Sequence, residues 1–446
     1  MFVTKRDGSQ EELDIKKIQK VTIPSCEGLE YVTSSELEVD AHIKFIDGMN
    51  TSDIAKSLIA TAVEKIDIDR PDWTFVASRL YLYDLYHVVG KNLGTGKGEP
   101  YGNFAKYIEI GKHYGKLIPS LDSGYDVEDL NKYIKPERDL LFNYLGIKTC
   151  YDKYLIKNDK RSPIELPQYM FMAIAMFIAQ NETNKQEKAK EYYDVISKFE
   201  VMLATPTLSN ARTNRHQLSS CYIGSTPDNI EGIFDIYKEL ALLSKYGGGL
   251  GVDWTKIRSL NSYIDVFAGA GGGVIPFLKI TNGVAIAVDQ TGVRKGAIAV
   301  YLEPWHKDIM DFLDLKKNSG EERRRTHDLF PALWISDLFM ERVKNNETWT
   351  LFDPYDVPFL SESDNEYFNK YYTEYEKTIP DDKKIVLNAK DIWKKVLTEY
   401  FETGNPFLTF KDTANRANPN HHVGRIRSSN LCTEIFQNSS PNGNLV

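Results

Sequence analysis

The clearest change of composition along the chain is a glycine-rich stretch at residues 90–100, which separates residues 1–89 from the rest of the sequence. This stretch holds four glycines and closes on Pro100, as is typical of a linker or an exposed loop. A phosphate-cradling loop is the other interpretation, but the glycines lack the spacing before a Lys-Ser or Lys-Thr pair that such a loop needs. We therefore favour a linker and expect residues 1–89 to form a compact unit.

Residues 1–89 have the pattern of a short β start followed by helices. Residues 3–9 predict a strand that runs into an Asp-Gly turn. Helices are expected from about residue 14, over 35–45, over 52–66 with the Ser52 hydroxyl as a cap, and from about residue 71. Lys5, Arg6 and Lys17 form a basic cluster close to a helix start, which is a favourable place for a phosphate group.

The length and the apolar content predict a folded protein of two or three domains. The chain has 446 residues, of which 42% are hydrophobic, enough to build a sizeable core. The longest apolar run, 169–179, has about half of the ~20 residues needed to span a bilayer, so it predicts a buried helix rather than a membrane segment. The polar, charged N-terminus is not that of a signal peptide.

Charge and cysteine content exclude several classes of function. The net charge is −8, from 55 basic and 63 acidic residues, so no basic field favours nonspecific nucleic-acid binding. The four cysteines, at 26, 150, 221 and 432, have neither metal-ligand spacing nor the density of a disulfide framework. This usage suits a reducing cytoplasm. His306 and His327 lack a carboxylate or a cysteine at ligand spacing, so no metal is expected in this chain.

Beyond the linker, residues 101–217 predict amphipathic helices, among them 104–114, 138–154 and 187–204. Their many tyrosines, together with Cys26 and Cys150, are interpreted as structural residues. Residues 219–223 predict a strand with Cys221 at its centre. The glycine run at 247–252 indicates that backbone approaches something closely there, although a flexible turn would explain it as well.

Near the carboxyl end, Asn430, Cys432 and Glu434 are spaced two residues apart. On an extended strand alternate side chains share one face and lie about 6–7 Å apart, so an amide, a thiol and a carboxylate would line up at the scale of one small substrate. On a helix, residues two apart do not face each other. The plainer interpretation is a half-buried strand whose cysteine is an inert small hydrophobic residue.

Several motifs in one order resolve this ambiguity. Residues 3–8, 219–221, 290–294 and 429–435 occur at the positions of corresponding motifs in the large subunit of class I ribonucleotide reductases, which the chain resembles throughout. The resemblance implies a mixed α/β protein in three parts. These are an ATP-cone regulatory domain at 1–89, a helical domain at 101–217 after the linker, and the first half of a ten-stranded α/β barrel at 218–446.

The resemblance also implies two sites for nucleotide effectors, ATP or deoxynucleoside triphosphates. The positions that match the overall-activity site are Lys5, Arg6, Glu11, Lys17 and Thr51. Ala55 and His87 depart from that pattern, which carries His and Lys there in many members, so weak inhibition by dATP is expected. The positions that match the specificity site are Asp228 and Arg258, with a mobile loop at 267–273 and a second loop that holds Gln290 and Arg294.

For the catalytic site, the resemblance implies that Thr205, Ser220 and Gly249 contact the substrate. Cys432 would form the thiyl radical that removes the 3′-hydrogen of a ribonucleoside diphosphate. Glu434 would act as the base on the 3′-hydroxyl, and Asn430 would orient the 2′- and 3′-hydroxyls. Cys221 would be one of two cysteines that become a disulfide in each turnover.

The implied partners follow from what the family needs for a complete reaction. The second reducing cysteine, the radical-relay tyrosines and the other half of the barrel are expected on a second chain. A small subunit with a dimetal centre would generate the radical, thioredoxin or glutaredoxin would re-reduce the site, and the completed large subunit would form homo-oligomers. No nucleic-acid or membrane partner is expected.

Two alternatives stay open. An adenosylcobalamin-dependent class II reductase shares Asn-x-Cys-x-Glu but needs no small subunit. A non-catalytic regulatory subunit would keep the effector loops without using Cys432.

Overall fold

Leu218 ends one folding unit and Ser219 begins another in the computed structural model. The structure describes residues 1–446 apart from 7, 96–99, 216, 265, 266, 268, 289–295, 441, 442, 444 and 446. Gln290 and Arg294 lie outside the described residues, and so do 96–99 of the predicted linker.

The first unit, residues 1–218, opens with a small sheet and continues as helices. Its strands are β1 (Phe2–Thr4), β2 (Gln10–Glu12) and β3 (Met49–Asn50), in the order β2-β1-β3. The strand predicted at the start is confirmed, and Gly8, at φ 88°, lies in the turn after it. The helices are α1 (Ile15–Cys26), α2 (Ser34–His42), α3 (Thr51–Glu64), α4 (Trp73–Leu93), α5 (Phe104–His113), α6 (Val127–Tyr133), α7 (Tyr144–Thr149), α8 (Pro167–Ala179), α9 (Lys185–Ser197) and α10 (Thr205–Asn210).

Helix starts in this unit follow local capping chemistry. Asp14 caps α1 by accepting a hydrogen bond from the backbone N–H of Lys16 at 2.9 Å, in agreement with a start at about residue 14. The expected Ser52 cap is wrong, because α3 already begins at Thr51 and Asn50 occupies the cap position. Ser52 therefore lies inside the first turn.

Helix α4 extends into the stretch predicted as a linker. Gly90 is helical and buried, and the helix ends at Leu93 with Gly94 in the left-handed conformation, at φ 69°. Val89 and Leu93 are buried in the core, and their packing outweighs the low helix propensity of a single glycine. The helix thus stops four residues later than the glycine content indicates.

Two of the long helices predicted in 101–217 are shorter than expected. The 138–154 stretch divides into the 3₁₀ turn Pro136–Leu141, α7 and a π-helical turn Cys150–Tyr154, with Asn143 capping α7 through the N–H of Gly146 at 2.7 Å. Helix α9 ends at Ser197, just before Phe199 at φ 60°. The apolar run at 169–179 is a buried helix, α8, as predicted.

None of the helices that the structure describes combines the length and the apolar character needed to cross a bilayer.

The second unit, residues 219–446, is built on parallel strands. These are β4 (Cys221–Ser225), β5 (Gly249–Asp253), β6 (Ile298–Leu302), β7 (Leu329–Ile335) and β10 (Phe407–Phe410), with a separate antiparallel pair, β8 (Thr348–Leu351) and β9 (Ile385–Asn388). The helices are α11 (Ile230–Lys245), α12 (Val274–Ala287), α13 (Ile309–Leu313), α14 (Asp337–Asn345), α15 (Asn365–Thr378), α16 (Ala389–Thr403) and α17 (Lys411–Arg416), with the 3₁₀ turns Asp314–Lys316, Glu322–Arg324 and Asp381–Lys383.

The two faces of the five-stranded sheet, in the order β10-β7-β6-β5-β4, differ in the size of their side chains. One face carries large aliphatic residues such as Val252, Val300 and Leu333, which pack against the surrounding helices in one apolar core. Because side chains alternate along a strand, the other face carries Gly249, Gly251, Ala299, Tyr301 and Ala332. This face of small residues accepts a segment from the carboxyl end of the chain, since Leu431 packs there on Ala299, Tyr301 and Ala332. The sheet forms part of a parallel α/β barrel, as predicted.

Two local predictions about this unit are wrong. Cys221 is the first residue of β4 rather than its centre. Residues 430–434 form a turn and not a strand, with Thr433 at φ 65°. The glycine run at 247–252 does meet backbone closely: a Cβ on Gly251 would lie 1.9 Å from the carbonyl oxygen of Ser429.

The first unit also contains a buried carboxyl group with no cation beside it among the contacts described. Asp139 accepts hydrogen bonds from the hydroxyls of Tyr86 and Tyr101 and from Nε2 of Gln168, which lies 2.9 Å away. Burial raises the pKa of Asp139 to about 6, against the opposing effect of these hydrogen bonds. Because Tyr86 belongs to α4 and Gln168 to α8, this carboxyl group joins the two helices.

We predict that Gly251→Ala weakens the second unit. The added methyl group would overlap the Ser429 carbonyl, 1.9 Å away, and overpacking of this kind costs about 1–3 kcal/mol. Chemical denaturation followed by circular dichroism measures the loss. The matched control is Gly283→Ala in α12, where a Cβ meets nothing within 4 Å. This substitution should raise the free energy of unfolding by about 0.5–1 kcal/mol. Equal stability of the two variants would contradict the close approach.

We predict that Asp139 gives the free energy of unfolding a pH dependence. Its carboxyl group keeps its proton in the folded state up to about pH 6, whereas the unfolded chain loses it near the ordinary value. The unfolding free energy should therefore fall as the pH rises from about 4 to about 6, by about 3 kcal/mol in total. In Asp139→Asn this contribution disappears, while Asp381→Asn, at a side chain 96% exposed, keeps the wild-type profile. Parallel profiles for all three proteins would contradict the assignment.

Candidate active site

Three of the residues predicted to be catalytic, Asn430, Cys432 and Glu434, lie on a turn whose two ends meet. Ile426 and Asn438 form an isolated antiparallel bridge, and Asn418 donates to the Asn438 side chain at 2.8 Å. Asn415 holds the first end, because its side chain accepts from the N–H of Ile426 at 2.9 Å and donates to its carbonyl at 3.0 Å. Residues 427–437 therefore form a closed loop on the small-residue face of the sheet.

Asn430 organises the backbone of this loop. Its side chain is buried, and its Oδ1 accepts from the backbone N–H groups of Glu434 at 3.1 Å and Ile435 at 3.0 Å. Ser429 Oγ donates to the Ile435 carbonyl at 2.7 Å. In a strand these backbone N–H groups would donate to a neighbouring strand. Here the Asn430 amide accepts from them instead, which explains why the stretch turns.

Tyr301 fixes the same loop from the sheet, and the sequence analysis did not identify it. Its hydroxyl donates to the backbone carbonyl of Asn430 at 2.7 Å. Burial raises the pKa of Tyr301, so the hydroxyl keeps the proton that it donates. Side chains alternate along β6, so Tyr301 shares a face with Ala299, and this pattern in the sequence could have identified Tyr301.

Cys221 meets the loop at the start of β4. Its Sγ accepts from Asn430 Nδ2 at 3.1 Å and donates to Glu434 Oε1 at 3.8 Å, and Ser220 Oγ lies 3.2 Å from it. Cys221 is thus brought together with Asn430 and Glu434, each more than 200 positions away from it in sequence. A thiol, a carboxylate and an amide donor in contact can exchange protons and orient hydroxyl groups.

Cys432 lies at the tip of the same turn and is exposed, as is Glu434, whereas Asn430 is buried. The three side chains therefore do not line one face of a strand, which corrects the predicted geometry. They do belong to one compact loop, and its exposed tip presents the Cys432 thiol to the outside.

The predicted substrate contacts divide between the two units. In the second unit, Gly249 donates its N–H to the Ser220 carbonyl at 2.7 Å, and a Cβ there would lie 3.4 Å from Leu431. Ser220 and Gly249 are therefore neighbours of the Cys221 site. In the first unit, Thr205 is exposed at the start of α10, with the hydroxyl of Tyr154 3.4 Å from its own.

The residues predicted for the specificity site lie together in part. Arg258 donates to Asp228 through Nε at 2.8 Å and through its backbone N–H at 3.2 Å. Asp308 holds both ends of the adjoining glycine-rich loop, accepting from the N–H groups of Leu260 at 3.0 Å and Val274 at 2.9 Å. The sequence analysis missed Asp308, for which no local motif is evident.

Three of the five residues predicted for the activity site form an ion-pair cluster at the beginning of the chain. Glu11 contacts Lys17 at 2.7 Å and Lys5 at 2.8 Å, and these ammonium groups lower the pKa of Glu11. Arg6 pairs instead with Asp84 on α4. Thr51 is the first residue of α3, so it stands at a helix N-terminus.

The departures from the family pattern lie on two helices of the first unit. Ala55 lies on α3 and His87 on α4. The His87 ring contacts its own helix, with Nδ1 3.1 Å from the Tyr83 carbonyl and the two rings 4.6 Å apart.

The two remaining cysteines, Cys26 and Cys150, belong to the first unit, and burial changes the pKa of both thiols. Burial raises the pKa of Cys26 to about 11 and also raises that of Cys150, which is fully enclosed in the core of the first unit. Both thiols stay protonated near neutral pH, which fits their interpretation as structural residues. Among the described residues, no cluster of three or more His, Cys, Asp or Glu side chains could hold a metal ion.

Family models match three consecutive parts of the chain. Residues 1–88 match the ATP cone domain, residues 140–216 match the ribonucleotide reductase all-alpha domain, and residues 219–446 match the ribonucleotide reductase barrel domain.

Curated relatives align along almost the whole chain. It is 61% identical over 443 residues to the ribonucleoside-diphosphate reductase subunit alpha of Helicobacter pylori, an alignment that covers 99% of this chain and 55% of that protein. It is 40% identical to the subunit alpha of Chlamydia muridarum, covering 98% and 42%, and 38% identical to the large subunit of Vaccinia virus, covering 99% and 57%. The chain spans about half the length of the curated relatives it matches. On these matches it belongs to the ribonucleotide reductase family, as a relative of the large, alpha subunits.

Proposed function

We propose that this chain carries the effector sites and the thiyl-bearing part of the catalytic site of a ribonucleoside-diphosphate reductase. The reaction would convert ribonucleoside diphosphates to deoxyribonucleoside diphosphates for DNA synthesis. The observation that carries the proposal is the contact of Cys221 Sγ with both Asn430 and Glu434 at the start of β4. A reducing thiol, an orienting amide and a base are the groups that this chemistry needs at one place.

The roles follow from the chemistry of the ribose. The Cys432 sulfur radical takes the 3′-hydrogen atom and becomes a thiol, while Glu434 accepts the proton of the 3′-hydroxyl. The 2′-hydroxyl then leaves as water, with Cys221 as a proton and electron donor. The second cysteine delivers a hydrogen atom to the 2′-carbon, and the two cysteines become a disulfide as they pass the remaining electron to the 3′-ketone. Glu434 returns its proton to the 3′-oxygen, and Cys432 then returns its hydrogen atom to the 3′-carbon, which restores the sulfur radical. Asn430 would orient the 2′- and 3′-hydroxyls, and Thr205, Ser220 and Gly249 would contact the substrate.

Nucleotide effectors would bind at two sites. Asp228 and Arg258, already paired, would hold a deoxynucleoside triphosphate or ATP, and Gln290 and Arg294 would relay its identity. Lys5, Arg6, Glu11, Lys17 and Thr51 would hold ATP or dATP in the ATP cone. Weak inhibition by dATP is proposed from Ala55 and His87, since neither supplies the donor or the fixed cation of the family pattern.

Further partners would complete the enzyme. A small subunit with a dimetal centre would generate the radical, and thioredoxin or glutaredoxin would reduce the disulfide. We place the reaction in the cytoplasm, because its dithiol chemistry needs a reducing compartment. A second polypeptide would supply the other strands of the barrel. Supporting this, β4 and β10 each pair with only one strand among the described residues, and open sheet edges need cover.

Two other functions make different predictions. A class II reductase would need adenosylcobalamin and no small subunit. A regulatory subunit would bind effectors without using Cys432. The direct contact of Cys221 with the loop that carries Cys432 favours a catalytic role over the second of these.

We predict that Cys432→Ser abolishes turnover while leaving the fold intact. The hydroxyl cannot form an equivalent radical, so we expect a loss of at least about 10³-fold. The measurement is conversion of a ribonucleoside diphosphate by the chain together with the small subunit, a reductant and a polypeptide that carries the remaining barrel strands.

The matched control is Cys26→Ser, which removes a thiol that burial keeps protonated and should leave the rate within about twofold. Omission of the polypeptide with the remaining strands should stop the reaction. Full activity of the Cys432 variant would rule out the thiyl role and support a regulatory subunit, and dependence on cobalamin would support a class II enzyme.

A homo-oligomer is also part of the proposal, and exposed apolar side chains on two neighbouring helices support it. Helices α11 and α12 are joined through the Tyr237 hydroxyl, which donates to the Phe277 carbonyl at 2.9 Å. Large apolar side chains remain exposed on both helices, namely Ile230, Phe234, Leu242, Ile280 and Ile286. Exposed apolar side chains grouped in this way mark association surfaces, and a surface that pairs with its own copy gives a dimer.

We predict that Phe234→Glu weakens self-association. Phe234 is 53% exposed on α11, and a charge in the centre of an apolar contact should raise the dimer dissociation constant by about 30-fold or more. Sedimentation-velocity ultracentrifugation of the completed subunit measures it. Phe401→Glu, at an 83% exposed position of α16, should leave the association unchanged, and the reverse pattern would move the interface to α16.

A further inference from the structure

The loop that carries Cys432 is held by one buried guanidinium. Arg427 stands directly before Ser428 and is 8% exposed. Its Nη2 donates to Glu362 Oε2 at 2.6 Å and its Nε to Oε1 at 3.4 Å, while its Nη1 donates to the carbonyl of Ser439. The guanidinium therefore links the first residue of the loop, and Ser439 just after its other end, to Glu362 in the segment after β8.

Glu362 also pairs with Lys256, which lies just after β5. Burial raises the pKa of Glu362, but the hydrogen bonds from Arg427 and Lys256 outweigh that effect and hold the pKa below its usual value. The carboxylate is therefore charged at neutral pH and contacts two cations. One of them belongs to the loop, and the other lies just after β5, the strand on which the loop lies.

These contacts fix the loop against β5 at a second point. The first is the backbone of Ser429 and Asn430 against Gly251, where no Cβ would fit. Arg427 is two residues from the first of these and reaches, through Glu362, a lysine just beyond the end of β5. With both points in place, Asn430 Nδ2 stays within 3.1 Å of Cys221 Sγ.

We propose that Arg427 and Glu362 are positioning residues that set the register of the Cys432 loop on β5, an inference that rests on the proposed function for its catalytic consequence. Neither side chain is assigned a contact with substrate. Their effect passes through the backbone of 428–430 to the Asn430 amide, which holds the N–H groups of Glu434 and Ile435. Loss of the pair would let the loop shift while the sheet stays folded.

Four variants of the complete enzyme test the inference. Arg427→Met removes the guanidinium, Arg427→Lys keeps a charge that cannot reach Glu362 and Ser439 together, and Glu362→Gln removes the carboxylate charge. Lys383→Met is the matched control, because it breaks an ion pair with Asp356, 3.3 Å away in the same segment after β8, and touches neither the loop nor Glu362. Hydrogen–deuterium exchange of the 431–438 peptide reports the loop directly and needs no turnover, and kcat and KM are measured in parallel.

In Arg427→Met and Glu362→Gln, the loop amides should exchange at least about 10-fold faster, since the groups that hold them are released. The kcat should fall by about 10- to 100-fold with little change in KM, as expected for misplaced catalytic groups. Arg427→Lys should be intermediate, and Lys383→Met should match the wild type in both. Should Arg427→Met fail to fold, Arg427→Lys and Glu362→Gln answer the same question.

Wild-type exchange in the Arg427 and Glu362 variants would overturn the inference. So would equal effects of Lys383→Met and Arg427→Met, since loss of any ion pair in the segment after β8 would then have the same effect as loss of the contact with the loop. If no variant, nor the wild type, turns over ribonucleoside diphosphates while the exchange differences remain, the proposed function fails and the positioning role stands.

Discussion

The second unit depends on one close contact between backbones. Gly251, in the middle of β5, lies against the carbonyl of Ser429, and no larger residue could stand there without moving one of the two. Because β5 is an inner strand, between β4 and β6, it cannot shift without disturbing its neighbours. The loop that carries Cys432 is therefore placed by the most constrained part of the sheet.

The same contact explains the unequal faces of the sheet. Parallel sheets are usually covered on both faces, and here the helices cover only the face with Val252 and Val300. Around Gly251 and Ala299 the other face has little side-chain volume, which leaves room for a bare chain segment. The small residues of β5 and β6 therefore allow the loop to pack on this face. Tyr301 supplies the hydroxyl that holds the backbone of the loop.

The sequence could predict these features only where a local pattern carries the information. Asp14 before an amphipathic stretch indicates a helix start, and the glycine run at 247–252 indicates a close approach, and both are found. The turn at 430–434 could not be predicted from alternation, because the Asn430 amide competes for the same backbone donors through contacts that have no periodicity. Likewise α4 continues past Gly90 because Val89 and Leu93 are buried, which depends on tertiary packing. Arg427 and Glu362 are 65 positions apart, so their pairing becomes visible only in three dimensions.

Burial also decides which thiols can take part in redox chemistry. A thiol reacts through its thiolate or by direct access to a partner, and the enclosed Cys150 has neither, since burial raises its pKa and the core surrounds it. Cys26 is half-buried with its pKa raised to about 11. Cys221 has three polar neighbours, at 3.1, 3.2 and 3.8 Å, and Cys432 is exposed on the loop that provides two of them. The fold therefore restricts thiol reactivity to the two cysteines that the loop and β4 hold in one region, and it does so through packing rather than through the number or the spacing of cysteines in the chain.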